Sequence, residues 1–259
     1  MASLPPQFET RFARSDEDLK ASQRLRYDVF VDELGGDGNL VDHDARLEAD
    51  EFDPSFEHLM LLDRTRPGGV MEQTVGVYRL LSGENVRQTG RFYSESEYDL
   101  SVLKTSGRKL LELGRSCLHR DYRGGMAMYH LWNALSDYVS EHKVEILFGV
   151  ASFHGTDIAA LAGPLSLLHH RHLAPEKIRV KAHQSHFQNM NLVPEDQLDR
   201  RRAMLATPAL IKAYLRIGGT VGEGAFVDHN FNTTDVCLIL DTAEASARQK
   251  SIYSRGRDL

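Results

Sequence analysis

The sequence predicts an α/β fold in a single domain that covers residues 1–259. A near-continuous apolar run, VEILFGVASF at 144–153, is typical of a central strand covered on both faces. A helix-patterned run, MAMYHLWNALSDYVSEHK at 126–143, follows directly on a strand-like segment. Strand and helix patterns alternate in this way without internal repeats or a linker, so we expect one mixed sheet with helices packed on it.

The first half of the chain reads as a strand, a helix and a hairpin. Phe8–Ala13 is strand-like, and Ser15 followed by Asp18 is a capping box for a helix to about Leu34, where glycines end it. The acidic stretch 40–58 has no periodicity and is expected to be a functional or a disordered loop. HLMLLDR and QTVGVYRLLS are then two strands of a hairpin joined through RPGG, and 83–108 is a loop with one short helix.

The second half alternates strands and helices. KLLELGRSCL at 109–118 is the next strand, and Met128, Leu131 and Leu135 lie on one face of the helix after it. Beyond the central strand, Thr156 is predicted to cap a helix through Leu168. KIRVKA is a predicted strand, PALIKAYLRI a helix that stops at two glycines, and AFVDH and DVCLILD a closing strand pair. Residues 1–7 and 243–259 are expected to be flexible.

Composition limits the partners and the compartment. The net charge of −6 argues against nucleic-acid binding. Basic residues still cluster locally, which suits an acidic partner or an anionic lipid surface as well as ordinary solvated charge. The N-terminus lacks an apolar signal core, and the two cysteines lie in apolar runs, which predicts buried free thiols rather than a disulfide. We therefore expect a cytoplasmic protein.

Motif spacing disfavours a metal site. His169, His170 and His172 lie at a predicted helix end, where they complement the helix dipole, and no HExxH motif or Cys/His cluster is present. The basic glycine turn HRDYRGG is different, because it leads from a strand into a helix N-terminus. Backbone N–H groups and the helix dipole there favour an anion. The turn lacks the lysine and hydroxyl residue of a P-loop, so taken alone it is a weak phosphate signal.

Glu112 and Arg115 are charged residues in an otherwise apolar strand. Charges in such a place are rarely buried unless they are paired. Residues three apart face opposite sides of a regular strand, so the two share a face only if the strand bulges near Gly114. The alternative is a purely structural ion pair with Arg79 or Asp50.

The order of four segments resembles that in acyl-homoserine-lactone synthases, which have the acetyl-CoA N-acetyltransferase (GNAT) fold. The segments are RYDVFVDEL, EADEFDP, VYRLL and ELGRSCLHRDYRGG. The resemblance implies a twisted mixed sheet, splayed at its centre, with helices on both faces. The positions that match the family's pattern are Arg26, Phe30, Asp50, Asp53, Arg79, Glu112 and Arg115. Gly35 and Gly36 stand where that family has a tryptophan, and the donor-binding turn also differs.

Those departures point to a sister group. LFGVASFHGTD, TPALIKAYLRIGG and GAFVDHNFNTTDVCLIL resemble the OlsB family of ornithine lipid synthases, the L-ornithine N-alpha-acyltransferases, and the similarity runs from about residue 20 to 241. This implies transfer of a 3-hydroxyacyl group from acyl carrier protein to the alpha-amine of ornithine, which yields lyso-ornithine lipid. The acyl thioester on phosphopantetheine is then a co-substrate, and no cofactor is tightly bound. The apolar segment 158–168 and its basic neighbours would contact the inner membrane peripherally where product leaves, line an acyl tunnel, or form a plain core helix.

The resemblance also implies roles for individual residues. The expected catalytic residues are Glu112 as general base, Asp50 as second choice for it, and Arg115. Arg79 or Arg115 would hold the ornithine carboxylate and Asp50 or Asp53 its side-chain ammonium, in a substrate-binding set of Arg26, Phe30, Asp53 and Arg79. Arg120, Arg123, Gly124 and Gly125 would hold the phosphopantetheine phosphate.

Two alternative functions remain open. The first is acyl-homoserine-lactone synthesis from S-adenosylmethionine, which uses the same charged positions. The second is a non-catalytic regulator that binds an acyl carrier on the same fold.

Overall fold

A computed structural model describes residues 5–38, 40–229 and 231–244. The chain forms two units: the first holds the residues up to Gly90 and Leu113–Lys143, and the second holds Arg91–Glu112 and the residues from Val144 onward. Of the ends predicted to be flexible, 1–4 and 245–259 lie outside the described residues. Among the described helices, none combines the length and the apolar character that a membrane span requires.

The elements follow one another in a mixed order. The strands are β1 (Phe8–Phe12), β2 (Glu57–Asp63), β3 (Thr74–Ser82), β4 (Tyr98–Asp99), β5 (Leu110–Leu118), β6 (Ile146–His154), β7 (Lys181–Ala182), β8 (Phe187–Gln188), β9 (Thr220–Val221), β10 (Ala225–Asp228) and β11 (Thr233–Asp241). The α-helices are α1 (Asp16–Arg26), α2 (Val70–Gln73), α3 (Val86–Thr89), α4 (Ser101–Lys104), α5 (Ala127–Glu141), α6 (Ile158–His172), α7 (Arg200–Ala206) and α8 (Ala209–Arg216). A π-helix (Tyr27–Glu33) continues α1, and 3-10 turns lie at Tyr93–Ser96, Arg120–Tyr122, Glu176–Ile178 and Gln184–His186.

The first unit is a sheet covered by a helix on each face. β1, β2 and β3 are neighbours in antiparallel order, and the part of β5 after Glu112 follows β3. Val77 of β3 packs with Leu25 of α1. At the adjacent Gly76, a Cβ atom would lie 2.9 Å from the side chain of Leu131 in α5, so α5 packs closely on the opposite face. Because successive side chains of β3 point to opposite faces, α1 and α5 lie on opposite sides of the sheet.

The second unit is built around β6 and β11. Leu110–Glu112 of β5 pair in parallel with Ile146–Phe148 of β6, and β6 pairs with β11 antiparallel over nine residues. β10 and β8 extend this sheet beyond β11, which also pairs with the short β9. β6 and β11 are largely buried, as the apolar run at 144–153 predicted. Helix α6 packs on α7 and β9, and α8 packs on β11.

The predicted start of α1 is confirmed, but its course is not uniform. The Ser15 hydroxyl accepts from the Asp18 N–H at 3.2 Å. After Arg26 the α-helix widens into the π-helix, and Gly35, with φ 72°, ends it. A π-helical turn often marks a functional site because it redirects side chains from the regular helical face. Periodicity alone did not reveal this change.

Three local predictions were wrong. Asp157 rather than Thr156 caps α6, because its carboxylate accepts from two backbone N–H groups. The helix ends at His172, within the histidine-rich segment predicted as its end. In the predicted strand KIRVKA, the first two residues belong to a 3-10 turn and only the last two, Lys181 and Ala182, are strand residues in β7. Segment 83–108 holds α3, a 3-10 turn, β4 and α4 rather than one short helix. The predicted β2–β3 hairpin is confirmed, since the two strands pair antiparallel, and its connection holds the single-turn helix α2 after RPGG.

Candidate active site

Three arginines and three carboxylates from separate elements of the first unit meet in one group, here called the arginine–carboxylate cluster. Its members are Arg26 at the end of α1, Glu48, Asp50 and Asp53 in the acidic loop, Arg79 in β3 and Arg115 in β5. The sequence predicted five of these residues as site residues. Glu48 was missed as one, although it stands beside the matched EADEFDP motif.

Direct ion pairs connect the buried part of the cluster. Arg26 donates to Asp53 Oδ1 through Nη1 at 2.6 Å and pairs with Glu48 through Nε. Arg79 Nη1 donates to Asp53 Oδ1 at 2.5 Å and to Asp50 Oδ1 at 2.7 Å. Asp53 thus joins two arginines that are far apart in the sequence, which makes it the centre of the cluster.

Arg115 closes the cluster from β5. Its Nε donates to Glu48 Oε1 at 3.1 Å, and its Nη2 lies 3.4 Å from Asp50 Oδ2. The pairing of Arg115 with Asp50 is one of the ion pairs considered from the sequence as a structural alternative. Both roles are compatible, because a residue in a charge network also presents that charge to a substrate.

The cluster has a buried part and an accessible edge. The side chains of Arg26, Arg79 and Asp53 are 0%, 1% and 3% exposed, whereas those of Arg115 and Asp50 are each 17% exposed. Buried charges of this kind persist only when they are paired. A ligand arriving from solvent would therefore meet Arg115 and Asp50 before the other members.

The cluster holds its carboxylates in the charged form. Burial alone would raise the pKa of Asp53, but the charges of Arg26 and Arg79 outweigh burial and hold this pKa far below its ordinary value. The pKa of Asp50 is lowered in the same way, since Arg79 and Arg115 outweigh burial. At neutral pH the cluster therefore contains three cations and three anions.

Two buried arginine donors in the cluster lack an acceptor among the described residues. They are Nη2 of Arg26 and Nε of Arg79. Buried N–H groups are nearly always hydrogen-bonded, so each calls for a water or an anionic oxygen. These two N–H groups are the donors of the cluster that an added water or anion would satisfy.

Neutral residues that were not predicted as site residues contact the cluster at Asp53. Gln23 donates to Asp53 Oδ2 at 2.9 Å, and the His58 ring lies 2.9 Å from the Ser22 hydroxyl and 3.2 Å from the Asp53 carbonyl oxygen. Burial, followed by the charges of Arg26 and Arg79, lowers the pKa of His58 to about 4 against the opposing effect of Asp53. A neutral imidazole fills this position without adding a fourth positive charge. The place of His58 beside the cluster could be identified only from an alignment of homologues or from the tertiary contacts.

Aromatic rings contact the arginine heads. The Arg79 guanidinium lies 4.4 Å from the centroid of the Phe56 ring, and that of Arg115 lies 6.0 Å from the Phe30 ring. Phe30, predicted to bind substrate, is in the π-helix and packs against the core that contains Leu25. It therefore borders the accessible edge of the cluster.

The strand β5 is irregular at the position that the sequence singled out. Arg115 has φ 47°, a left-handed conformation that a non-glycine residue in a strand rarely adopts. A residue in this conformation is typical of a bulge, and it directly follows Gly114. The predicted irregularity is therefore present, and it interrupts the alternation of side chains along β5.

Glu112 belongs to the second unit, where its carboxylate binds backbone N–H groups. Its carboxylate is buried and accepts from the backbone N–H groups of Tyr93 at 2.8 Å and Ser94 at 2.6 Å. These are the first residues of the 3-10 turn Tyr93–Ser96. Glu112 therefore anchors this turn, a structural role that the sequence did not reveal.

The predicted phosphate cradle forms a turn between β5 and α5. Arg123 donates through Nε to the Leu118 carbonyl at 3.0 Å, and its Nη1 forms an ion pair with Glu33 Oε2 at 2.8 Å. Arg120 Nε lies 3.7 Å from Glu33 Oε1. Gly124 has φ 77°, which favours glycine, and Gly125 leads into α5, where the Met126 side chain caps no N–H. Glu33 thus contacts both arginines, in the turn that precedes a helix start without a side-chain cap.

In the described part of the chain, neither the cysteines nor groups of potential metal ligands form a further candidate site. Both cysteines are free and buried, as predicted, and burial raises the pKa of Cys117 to about 12, which leaves no reactive thiolate. No group of three His, Cys, Asp or Glu side chains among residues 5–38, 40–229 and 231–244 is arranged to hold a metal ion.

Comparison with known proteins gives consistent similarities. Residues 25–133 match the model of the acetyltransferase (GNAT) domain. The chain is 59% identical over 255 residues to the L-ornithine N(alpha)-acyltransferase of Rhodobacter capsulatus, with 98% of each chain covered. It is 38% identical over 247 residues to the protein of the same name from Brucella abortus, with 95% of this chain and 88% of that one covered.

The similarity to solved structures supports the predicted fold. A CoA-dependent acyl-homoserine lactone synthase, BjaI, solved with MTA, superimposes with a TM-score of 0.52 at 13% identity over 93% of this chain and 82% of that one. At this identity the likeness concerns the fold alone. The predicted GNAT-like α/β fold with a mixed sheet is therefore confirmed.

Proposed function

Because this chain belongs to the L-ornithine N(alpha)-acyltransferase family, we propose that it transfers a 3-hydroxy fatty acyl group from acyl carrier protein to the alpha-amine of L-ornithine. The product is lyso-ornithine lipid. The observation that carries this proposal is the 59% identity to a protein of that name over 98% of both chains. The charged cluster, with a cation and an anion at its accessible edge, suits an amino acid that bears a carboxylate and a side-chain ammonium.

Arg115 and Asp50 are the first contacts for ornithine. The Arg115 guanidinium binds the carboxylate, and the Asp50 carboxylate binds the side-chain ammonium. Their exposure supports this assignment over Arg79 and Asp53, which are buried. The acceptors missing at Arg26 and Arg79 support keeping these two arginines in the substrate-binding set.

The reaction is aminolysis of a thioester. The neutral alpha-amine attacks the carbonyl carbon, the proton that the amine loses passes to a base, the carbon–sulfur bond breaks, and phosphopantetheine leaves as a thiolate that takes up a proton. Glu112 is the first candidate for the base, acting directly or through one water. Asp50 is the second and weaker candidate, because Arg79 and Arg115 lower its pKa.

The irregularity in β5 supports an oxyanion site. A bulge releases backbone N–H groups from the strand ladder, and those near Gly114–Ser116 would donate to the thioester oxygen as it becomes negative. The φ of 47° at Arg115 is the observation behind this step. We assign stabilisation of the developing oxyanion to this segment of backbone.

The donor binds at the cradle. Arg120, Arg123, Gly124, Gly125 and the start of α5 hold the phosphate of the phosphopantetheine arm. Acyl carrier protein is acidic, and Arg120 and Arg123 are 66% and 45% exposed, so both also attract the carrier in solution. No tightly bound cofactor is required, since the thioester arrives with the carrier. The reaction takes place in the cytoplasm, with peripheral contact to the inner membrane.

A comparison of two acceptor substrates tests the proposal. The protein is incubated with 3-hydroxyacyl–acyl carrier protein and either L-ornithine or S-adenosylmethionine, and free thiol release is followed. We expect release only with ornithine, and mass spectrometry should place the acyl group on the alpha-nitrogen. Release only with S-adenosylmethionine would establish the lactone-synthase alternative, and no release with either would favour the non-catalytic regulator.

A matched substrate tests the role of Asp50. L-Norvaline has the carbon skeleton of ornithine without the side-chain ammonium. We expect it to react poorly with the native protein, and we expect Asp50→Asn to lower turnover of ornithine more than that of norvaline. An equal loss for both amino acids would show that Asp50 does not bind the ammonium.

A further inference from the structure

Glu33, the last residue of the π-helix, lies between the two arginines of the cradle. Its carboxylate binds Arg123 Nη1 at 2.8 Å, and Arg120 Nε lies 3.7 Å from its other oxygen. Sequence reasoning singled out both arginines as phosphate ligands but did not include Glu33. In the free protein, the positions expected to attract an anion are therefore already occupied by one.

Two contacts orient the Arg123 head. Its Nε donates to the Leu118 carbonyl oxygen at the end of β5, and its Nη1 forms an ion pair with Glu33. The first bond involves the backbone and keeps the guanidinium in place whether or not Glu33 remains. Exchange of Glu33 for another anion would therefore leave a preorganised arginine behind.

The chemistry of the two anions matches. The phosphodiester that joins pantetheine to a carrier serine bears one negative charge shared by two free oxygens, as the Glu33 carboxylate does. Glu33 is 20% exposed, and its arginine partners are 45% and 66% exposed, so the ion pairs are weak. An incoming phosphodiester, aided by the start of α5, competes with them on nearly equal terms.

Two exposed apolar side chains are close to this group in the sequence. Leu34, next to Glu33, is 49% exposed, and Met126, three residues after Arg123, is 59% exposed. Exposed apolar side chains beside charged ones are typical of protein-binding surfaces. A carrier protein that docks here would cover the apolar residues while its phosphate reaches the arginines.

We propose that Glu33 occupies the phosphate position of the donor site in the free protein and that donor binding exchanges Glu33 for the phosphodiester of the phosphopantetheine arm. Glu33 is then a specificity-determining residue, because only a ligand that supplies its own anion displaces it. This inference rests on the proposed function, in which the cradle binds the acyl donor.

The test compares two probes that differ only in the phosphate. The probes are the O-methyl phosphodiester of 4′-phosphopantetheine and pantetheine without phosphate, each titrated calorimetrically into the full chain. We expect Glu33→Gln to tighten the phosphodiester about two- to fivefold, the range of an exposed ion pair, and to leave pantetheine unchanged. Weaker or equal binding of the phosphodiester in this variant would overturn the proposal.

A matched control is present in the second unit. Glu195 also joins two arginines at the surface, with Arg171 at 3.1 Å and Arg200 at 3.3 Å, and is 44% exposed. Glu195→Gln makes the same chemical change at a residue that does not contact Arg120 or Arg123, and it should leave both affinities unchanged. If it tightens the phosphodiester as much as Glu33→Gln does, the effect is one of net charge and the proposal fails.

Arg123→Gln separates failure of this inference from failure of the proposed cradle. In that variant we expect the preference for the phosphodiester over pantetheine to disappear, and we expect Glu33→Gln to have no further effect. A preference that survives in Arg123→Gln contradicts the cradle itself. A preference that is lost there, without tightening in Glu33→Gln, contradicts only the role of Glu33.

Discussion

Replacing Asp53 by Asn should destabilise the first unit more than any other isosteric change in the cluster. Asp53 is 3% exposed and accepts from Gln23, Arg26 and Arg79 at 2.9, 2.6 and 2.5 Å. Asparagine preserves the shape but removes the charge, so three cluster cations face the two remaining carboxylates. Removing one partner of a buried ion pair costs about 3–5 kcal/mol, and we expect a loss of this size in the free energy of unfolding.

The measurement is guanidinium chloride unfolding at pH 7, followed by circular dichroism. Glu195→Gln is the matched control, because Glu195 also binds two arginines but is 44% exposed. We expect the control to lose no more than about 1 kcal/mol. A similar loss in both variants would show that burial does not determine the contribution of these ion pairs. A loss below about 1 kcal/mol in Asp53→Asn would refute Asp53 as the centre of the cluster.

The remaining predictions concern catalysis, docking and pH. Glu112→Gln should reduce turnover by about 10²–10⁴ if Glu112 is the base. Glu95→Gln is its control, because Glu95 accepts from Phe92 N–H in the same turn. An equal loss of turnover in that variant would show that Glu112 is only a structural anchor. Arg120→Glu with Arg123→Glu should mainly raise the KM for the carrier protein, and an unchanged KM would contradict the cradle. His58 has a folded-state pKa of about 4, against 6.5 when unfolded, so the unfolded chain binds more protons between these values and stability should fall as pH falls through this window. His58→Gln should remove up to about 3 kcal/mol of this pH dependence, and an unchanged dependence in urea unfolding would contradict the assignment.

The sequence by itself determined the features that depend on neighbouring residues. The Ser15 cap, the apolar face of α5 and the nine-residue core strands β6 and β11 follow from side-chain chemistry within a turn or from alternation along a strand. The irregularity beside Gly114 was likewise predicted, because Glu112 and Arg115 otherwise face opposite sides. Local stereochemistry is the same wherever the segment lies in the fold.

Tertiary structure alone decided which charges meet. Arg26, Asp53 and Arg79 are separated by more than 25 residues in the chain, and nothing local shows that Asp53 binds both arginines while Arg115 and Asp50 form the accessible edge. The same holds for Glu112, whose buried carboxylate binds two backbone N–H groups near residue 93. Ion pairs and buried hydrogen bonds depend on distances of a few ångströms and on local dielectric, which only the folded chain sets.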